Sequence, residues 1–502
     1  MSVWHPLNTS DYLLADAAPN RVALVDGGER YTYGQLRSAA GRLAADLAAL
    51  DLPSGSRVGV LGPNSFFWVA VYLAVMKLNH VVVPFSDKLA VDDVRRNADI
   101  ARCAAVFVDR RVVRRFSSAF GDGLAVLTDE ALQSSREPYW PSAVPVDPGA
   151  NAALMFTSGT TSRPKAVRLT HGNIQANTDS IIAFLELCSD DRVLVILPFF
   201  YCYGASLLHT HLRRGACMVL CNSFVYPEKA LGLLEREECT VLAGVPSSFQ
   251  LLLRASTFAQ RALPSLRLIQ QAGGKLPPVL IKELLAAKPA AKLFVMYGQT
   301  EATARLSYLP PEKLQEKPGS IGRGIPGVEL RVLNENGEPV PPGERGEIYA
   351  TGANISPGYY EDPEGSAAKF TPHGLRTGDL AVVDDDGYIF IVDRRDDFIK
   401  SWGHRISSQE VEAAALRMEQ LVSAAVIGVP DDEAGEAVTL FVTARPDAEV
   451  TPDEVLTVCR RHLPKYMVPR SVLVLDMLPL NASGKIAKPQ LRDMVAARSA
   501  TR

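Results

Sequence analysis

Ten residues, Phe156 to Lys165, read FTSGTTSRPK and concentrate groups suited to holding phosphate. Thr157, Ser158, Thr160 and Thr161 offer hydroxyls, Gly159 permits close backbone approach, and Lys165 adds a mobile positive charge. The G-x-x-x-x-G-K-[ST] spelling cannot be written here, which excludes a kinase-like P-loop. A polar surface turn would use the same letters, so this loop does not decide the matter alone. A second concentration is PFFYCYGASLLHTHL, where Phe199, Phe200, Tyr201, Tyr203, His209 and His211 follow Pro198. Such rings suit a flat or bulky apolar ligand if they line a pocket, although an aromatic run is more often core.

These groups need a scaffold. From residue 57 onward, short β-branched runs (57–62, 81–84, 104–108) alternate with helical patterns, including an uncharged apolar stretch at 66–76 behind the cap candidates Asn64 and Ser65. The rhythm resumes at 192–197, 217–220, 240–243 and 293–296, each followed by Pro or Gly punctuation. Alternation of this kind predicts an α/β fold with parallel sheets and helices on their faces. After Lys317 the text becomes dense in Gly and Pro, predicting a small β subdomain. Beyond Asp393, helices at 408–418 and 452–462 and strands at 423–429, 438–443 and 471–476 predict a compact α+β domain of about a hundred residues, a common domain size.

Composition narrows the class further. The chain has 502 residues, 47% hydrophobic and 22% charged, with a net charge of −3, the profile of a globular protein with several domains and no basic field for nucleic acid. Its seven cysteines are scattered, with no C-x-x-C pair, which points to a reducing cytoplasm and buried thiols. The N-terminal stretch carries Asp11 and Asp16, unlike a secretory signal, and the 66–76 run falls short of the roughly 20 residues that span a bilayer.

FTSGTTSRPKAVRLTHGN closely resembles the signature of the adenylate-forming superfamily, which contains acyl-CoA synthetases, peptide-synthetase adenylation domains, luciferases and stand-alone amide bond synthetases. YTYGQL at Tyr31, YGQTEA at Tyr297, GEIYATG at Gly346, RTGDL at Arg376, DRRDDFIKSWGHRIS at Asp393 and PLNASGKI at Pro479 resemble its further motifs in order. The resemblance covers nearly the whole chain. It implies a large N-terminal domain of stacked α/β subdomains with the small β subdomain, residues 1–394, and a mobile C-terminal domain, residues 395–502, hinged at Asp396.

The implied reaction has two steps: a carboxylate attacks the α-phosphorus of MgATP, giving an acyl-adenylate and pyrophosphate, and a nucleophile then displaces AMP. By resemblance, Thr157, Ser158, Gly159, Thr160, Thr161 and Lys165 hold the β- and γ-phosphates. Glu301 ligates Mg2+ and Thr300 contacts the α-phosphate. Ala272, Gly273, Gly274 and Tyr297, with Gly298 and Gln299, border the adenine. Asp379 and Arg394 take the ribose, and Lys485 is the catalytic lysine bridging carboxylate and phosphate.

Phe200, Tyr201, Tyr203, His209 and Gly273 are the expected acid-pocket residues. That segment lacks the Asp which pairs with an amino-acid ammonium, so an apolar, aromatic or bulky acid is favoured. The acceptor stays open between CoA, slightly favoured, and an amine for which His209 or Tyr203 would act as base or guide. Trp402 stands where many relatives carry a smaller residue at the pantetheine tunnel, and Ser162 and Ala166 stand where the family usually has Gly. A non-catalytic acyl or nucleotide sensor is the remote alternative.

Overall fold

The computed structural model describes residues 7–121, 123–143, 145–157, 164–224, 226–394, 398–431, 433–481 and 484–500. Six strands, in the order Ala125–Thr128, Cys103–Val108, Arg57–Leu61, Val81–Phe85, Asn151–Thr157 and Lys165–Thr170, form one sheet. Its neighbours run parallel except the last pair, an antiparallel pairing whose strands flank the 158–163 stretch.

A nine-stranded sheet has a parallel centre of Cys217–Leu220, Arg192–Val195, Val241–Gly244, Leu268–Gln271 and Lys292–Tyr297. Continuous apolar runs such as CMVL suit strands covered on both faces. Antiparallel strands Glu29–Thr32 and Ser307–Leu309 extend it in places where the alternation had not indicated sheet.

Phe66–Lys77 is a helix buried at every position from Phe67 onward, packed with residues of both sheets in one core. Ser65 is its N-cap, accepting from the Trp68 N–H at 3.1 Å. Asn64, the other cap candidate, instead accepts from Phe199 N–H at 2.8 Å and donates to the Leu197 carbonyl at 2.9 Å, fixing the start of the aromatic segment. The one cation of the helix, Lys77, is buried and neutralised by Asp11 at 2.7 Å. No helix among the described residues is long and apolar enough to cross a membrane.

The Gly- and Pro-rich region forms an antiparallel sheet in which Arg345–Gly352 and Gly374–Val383 are central. The C-terminal part has its own core beneath the Leu421–Asp431 and Gly435–Ala444 hairpin, with helices Ser408–Ala415 and Pro452–His462. Thr451 and Glu454 form a capping box at the start of the latter. The final helix, Lys488–Ala500, is an addition to the expected pattern.

Arg254, last residue of the helix Pro246–Arg254, bolts this C-terminal region to the large one. Its guanidinium is gripped by Glu283 at 2.6 Å and donates to the carbonyls of Leu421 at 2.6 Å and Leu416 at 3.0 Å. The Leu416 carbonyl closes the helix Ser408–Ala415, where the helix dipole favours a cation.

Candidate active site

Tyr201, Gly273 and Tyr297 all lie at or just beyond the C-terminal ends of parallel strands of the nine-stranded sheet, where open α/β sheets gather ligands. Lys485 reaches this edge from the C-terminal region. Its Nζ donates to the Tyr201 hydroxyl at 2.8 Å and stands 5.2 Å from that ring. The turn that carries it is held locally: Lys485 N–H donates to Asn481 Oδ1 at 3.0 Å, and Asn481 N–H to the Lys485 carbonyl at 2.7 Å. Across the cleft, Ser247 Oγ donates to the Gly484 carbonyl at 2.7 Å.

Gly273 makes room for this approach. At φ +88°, a Cβ there would lie 3.3 Å from Lys485 Cε and 3.0 Å from Val245 Cγ1. The position therefore needs glycine for its backbone and for the lysine that passes over it.

A second grouping joins Lys165, at the end of the expected phosphate loop, to the expected metal ligand. Tyr359 donates to Glu301 Oε1 at 2.7 Å, and Lys165 Nζ lies 4.6 Å from the centre of its ring. Burial beside the Glu301 carboxylate pushes the Tyr359 phenol far above its ordinary range, so it remains a donor. The only sequence signal for Tyr359 is the aromatic pair in GYYED, which also reads as core. Glu301 itself is held through its carbonyl by Ser356 N–H at 2.9 Å.

Tyr297 donates to Asp379 Oδ2 at 2.5 Å, which couples the expected adenine and ribose contacts. Thr300 is buried, its hydroxyl 3.4 Å from the Cys202 sulfur, and the Cys202 thiol is itself pushed up by burial. Ala272 is buried, while Gln299 Nε2 is buried without a hydrogen-bond partner, as suits a donor awaiting an acceptor-rich ligand. Gly298 has no room for a side chain, since a Cβ would fall 1.9 Å from the Ala304 carbonyl oxygen. Ser158, Gly159, Thr160, Thr161, Asp396 and the Arg394 side chain lie outside the described residues.

Two expectations for the aromatic segment need correction. His209 is 3% exposed, its Nε2 is 2.7 Å from the Tyr72 hydroxyl, and burial holds its pKa down to about 3. An imidazole so placed faces the core, not the Lys485 cleft, and cannot act as a base near neutrality. Tyr203 is also buried, with its hydroxyl donating to the Gln270 carbonyl at 2.8 Å, so it does not guide an amine. Both lie on the helix Cys202–Arg213, whose apolar face turns them inward. Tyr201, at the cap position before that helix, and Phe200 remain half-buried.

Buried histidines have a consequence for pH. Burial depresses His171 and His211 to about 4, as it does His209 to about 3, against an ordinary 6.5. Protons therefore bind the unfolded chain first, and the stabilisation present above pH 6.5 is lost as pH falls towards 4. Each ring should contribute on the order of 2 kcal/mol to the loss by pH 5. A thermal-melt series from pH 7.5 to 4.5 should show this decline. Replacing the bonded pair together, Tyr72→Phe with His209→Phe, should make it shallower, because the titrating ring goes without stranding its partner.

Residues 14–360 match the family model for AMP-binding enzymes, and residues 410–485 that for the AMP-binding enzyme C-terminal domain. A feruloyl-CoA synthase from Amycolatopsis sp is 34% identical over 482 residues, covering 95% of this chain and 96% of its own. The structure of Bacillus subtilis o-succinylbenzoate CoA synthetase (MenE) with the acyl-adenylate intermediate OSB-AMP superposes with a TM-score of 0.85 at 28% identity, covering 97% of this chain and 98% of that one. Its complex with ATP and magnesium ion gives 0.84 at 29% identity, covering 97% and 99%.

Proposed function

The chain belongs to the AMP-binding enzyme family and is an AMP-forming acid ligase; from that premise we propose that it joins an apolar, aromatic or bulky carboxylic acid to the thiol of coenzyme A through an acyl-adenylate. The observation that carries this reading is Lys485 standing against Tyr201 and Gly273, a cation delivered by the C-terminal region to the ligand edge of the nine-stranded sheet.

In the first step a carboxylate oxygen bonds to the α-phosphorus of ATP and pyrophosphate leaves. Two anions must be brought together, so fixed cations and donors matter most. Lys485 neutralises the reacting carboxylate and α-phosphate, Lys165 faces the outer phosphates, and Asp379 and Tyr297 orient the nucleoside. Glu301 fits a magnesium site: Tyr359 takes Oε1, which leaves the second carboxylate oxygen for a hard cation whose remaining oxygens would come from phosphate and water. Magnesium, when bound there, would offset charge on the phosphates.

In the second step the CoA thiol gives up its proton to solvent, its sulfur bonds to the acyl carbon, and AMP leaves with the electron pair of the broken acyl C–O bond. Lys485 has then finished its work, and the C-terminal domain, 395–502, turns about Asp396 to bring the 399–406 turn to the cleft. Trp402 in that turn is 61% exposed, at φ +52°, with its N–H held by the Ala434 carbonyl at 2.9 Å. The swing would require the Arg254 and Ser247 contacts to break.

The amine-acceptor alternative loses its proposed base with His209 and Tyr203 turned inward. Purified enzyme with ATP, magnesium and a panel of aromatic, fatty and alicyclic acids should show acid-dependent pyrophosphate exchange, and added coenzyme A should yield the thioester by mass spectrometry. Amides formed from simple amines while coenzyme A stays inert would overturn the acceptor; absence of exchange over the whole panel would overturn the ligase reading.

A further inference from the structure

Arg305 is the least expected residue near the cleft. It is 2% exposed, its guanidinium carbon lies 3.9 Å from the centre of the Tyr203 ring, and its Nε lies 3.4 Å from the Met296 sulfur. Its Nη2 is buried and makes no hydrogen bond, and among the described residues the guanidinium has Tyr203 beside it and no carboxylate in an ion pair. Beyond the same tyrosine, whose hydroxyl donates to the Gln270 carbonyl, the Gln270 side chain is 1% exposed and its Nε2 is likewise buried without a partner.

Both residues touch Tyr203, Arg305 on its ring and Gln270 at its hydroxyl. Gln270 and Phe294 are register partners on adjacent strands, Met296 lies two residues beyond Phe294, and Leu268, Phe294, Met296 and Tyr203 share one core cluster. Gln270 thus projects from the sheet face that meets the helix Cys202–Arg213. Two residues before Tyr203 on the chain, Tyr201 holds Lys485. Lys485 against Tyr201 and Arg305 against Tyr203 thus place two cations along the 201–203 segment.

An interior cation without a counter-charge is a net cost that one contact with an aromatic face does not offset. Two such unpaired donors on residues that share Tyr203 suit acceptor oxygens, and the guanidinium fork matches a carboxylate bidentately.

Resting on the adenylation reading above, we propose that the acid used by this enzyme carries a second anionic group, a carboxylate separated from the reacting one by an apolar body, which docks on Arg305 with Gln270 donating beside it. The reacting carboxylate then lies at Lys485 and the apolar body beside Tyr201 and Tyr203. Specificity follows because a neutral acid of the same shape leaves the buried guanidinium unpaired.

The test uses the full chain in magnesium-ATP pyrophosphate exchange with matched acids: benzoate and terephthalate, cinnamate and 4-carboxycinnamate, heptanoate and pimelate. The diacid of at least one pair should have a kcat/KM at least tenfold above its neutral partner. Arg305→Met should collapse that ratio by tenfold or more, Arg305→Lys should retain part of it, and Gln270→Met should lower it to a smaller degree. Neutral acids preferred throughout, or an Arg305→Met loss equal for both members of a pair, would overturn the proposal.

A thermal-shift series without ATP separates it from the ligase reading. Diacids that raise the melting temperature of the native chain but not of Arg305→Met, with no exchange for any acid, would leave the anion site standing and remove the ligase assignment. Exchange with neutral acids alone, and no diacid-dependent shift, would do the reverse.

Discussion

Lys485→Ala is expected to lower acid-dependent pyrophosphate exchange by about a hundredfold to a thousandfold, the usual loss when one preorganised charge donor is removed from a reacting oxygen. Acyl transfer from a preformed adenylate to coenzyme A should fall far less. The reason is positional: Lys485 sits on the C-terminal region and reaches the cleft beside Tyr201 and Gly273, so in the proposed cycle it serves only while that region is docked by Arg254 and Ser247. Lys485 is half-buried and its side chain supports no core cluster, so the melting temperature should change little. Rapid-quench measurement of the two half-reactions checks this. Equal losses in both would remove the role assigned to the lysine.

Glu301→Gln should lower exchange by about a hundredfold and raise the magnesium concentration needed for half-maximal rate. The substitution keeps an acceptor oxygen for Tyr359, now bonded at 2.7 Å, so the contact that links Glu301 to the Lys165 side of the site survives. What disappears is a negative charge at a place suited to a hard cation. Titrating magnesium at fixed ATP separates this from a general loss of fold. A variant whose magnesium dependence matches the native enzyme would show that Glu301 holds only Tyr359.

Much of the scaffold was legible before any coordinates. The strands at 57–61, 81–85 and 192–195 appear where β-branched runs stand between Gly and Pro, because such strands are covered on both faces and carry apolar residues without interruption. The helix Pro452–His462 was bounded correctly because Thr451, Pro452 and Glu454 spell its start. The short antiparallel strands at the margins of the nine-stranded sheet escaped notice, since their pairing depends on neighbours distant in the chain.

The site divides along the same line. Lys485, Tyr297, Asp379, Glu301 and Lys165 were nominated by the resemblance of ordered motifs to the adenylate-forming superfamily; Tyr297 with Asp379, and Glu301 with Lys165 around Tyr359, then prove to be neighbours. Which way a side chain turns was not in the letters. On one helix, Tyr201 before its first turn meets Lys485, whereas His209 two turns later meets Tyr72 in the core and loses its basicity. Arg305 carries no signal of its own in the sequence; the fold buries it against Tyr203 and Met296. Sequence determined the chemistry on offer and the order of its parts; only tertiary packing decided which groups are desolvated and left unpaired, because burial is a property of residues far apart in the chain that meet in space.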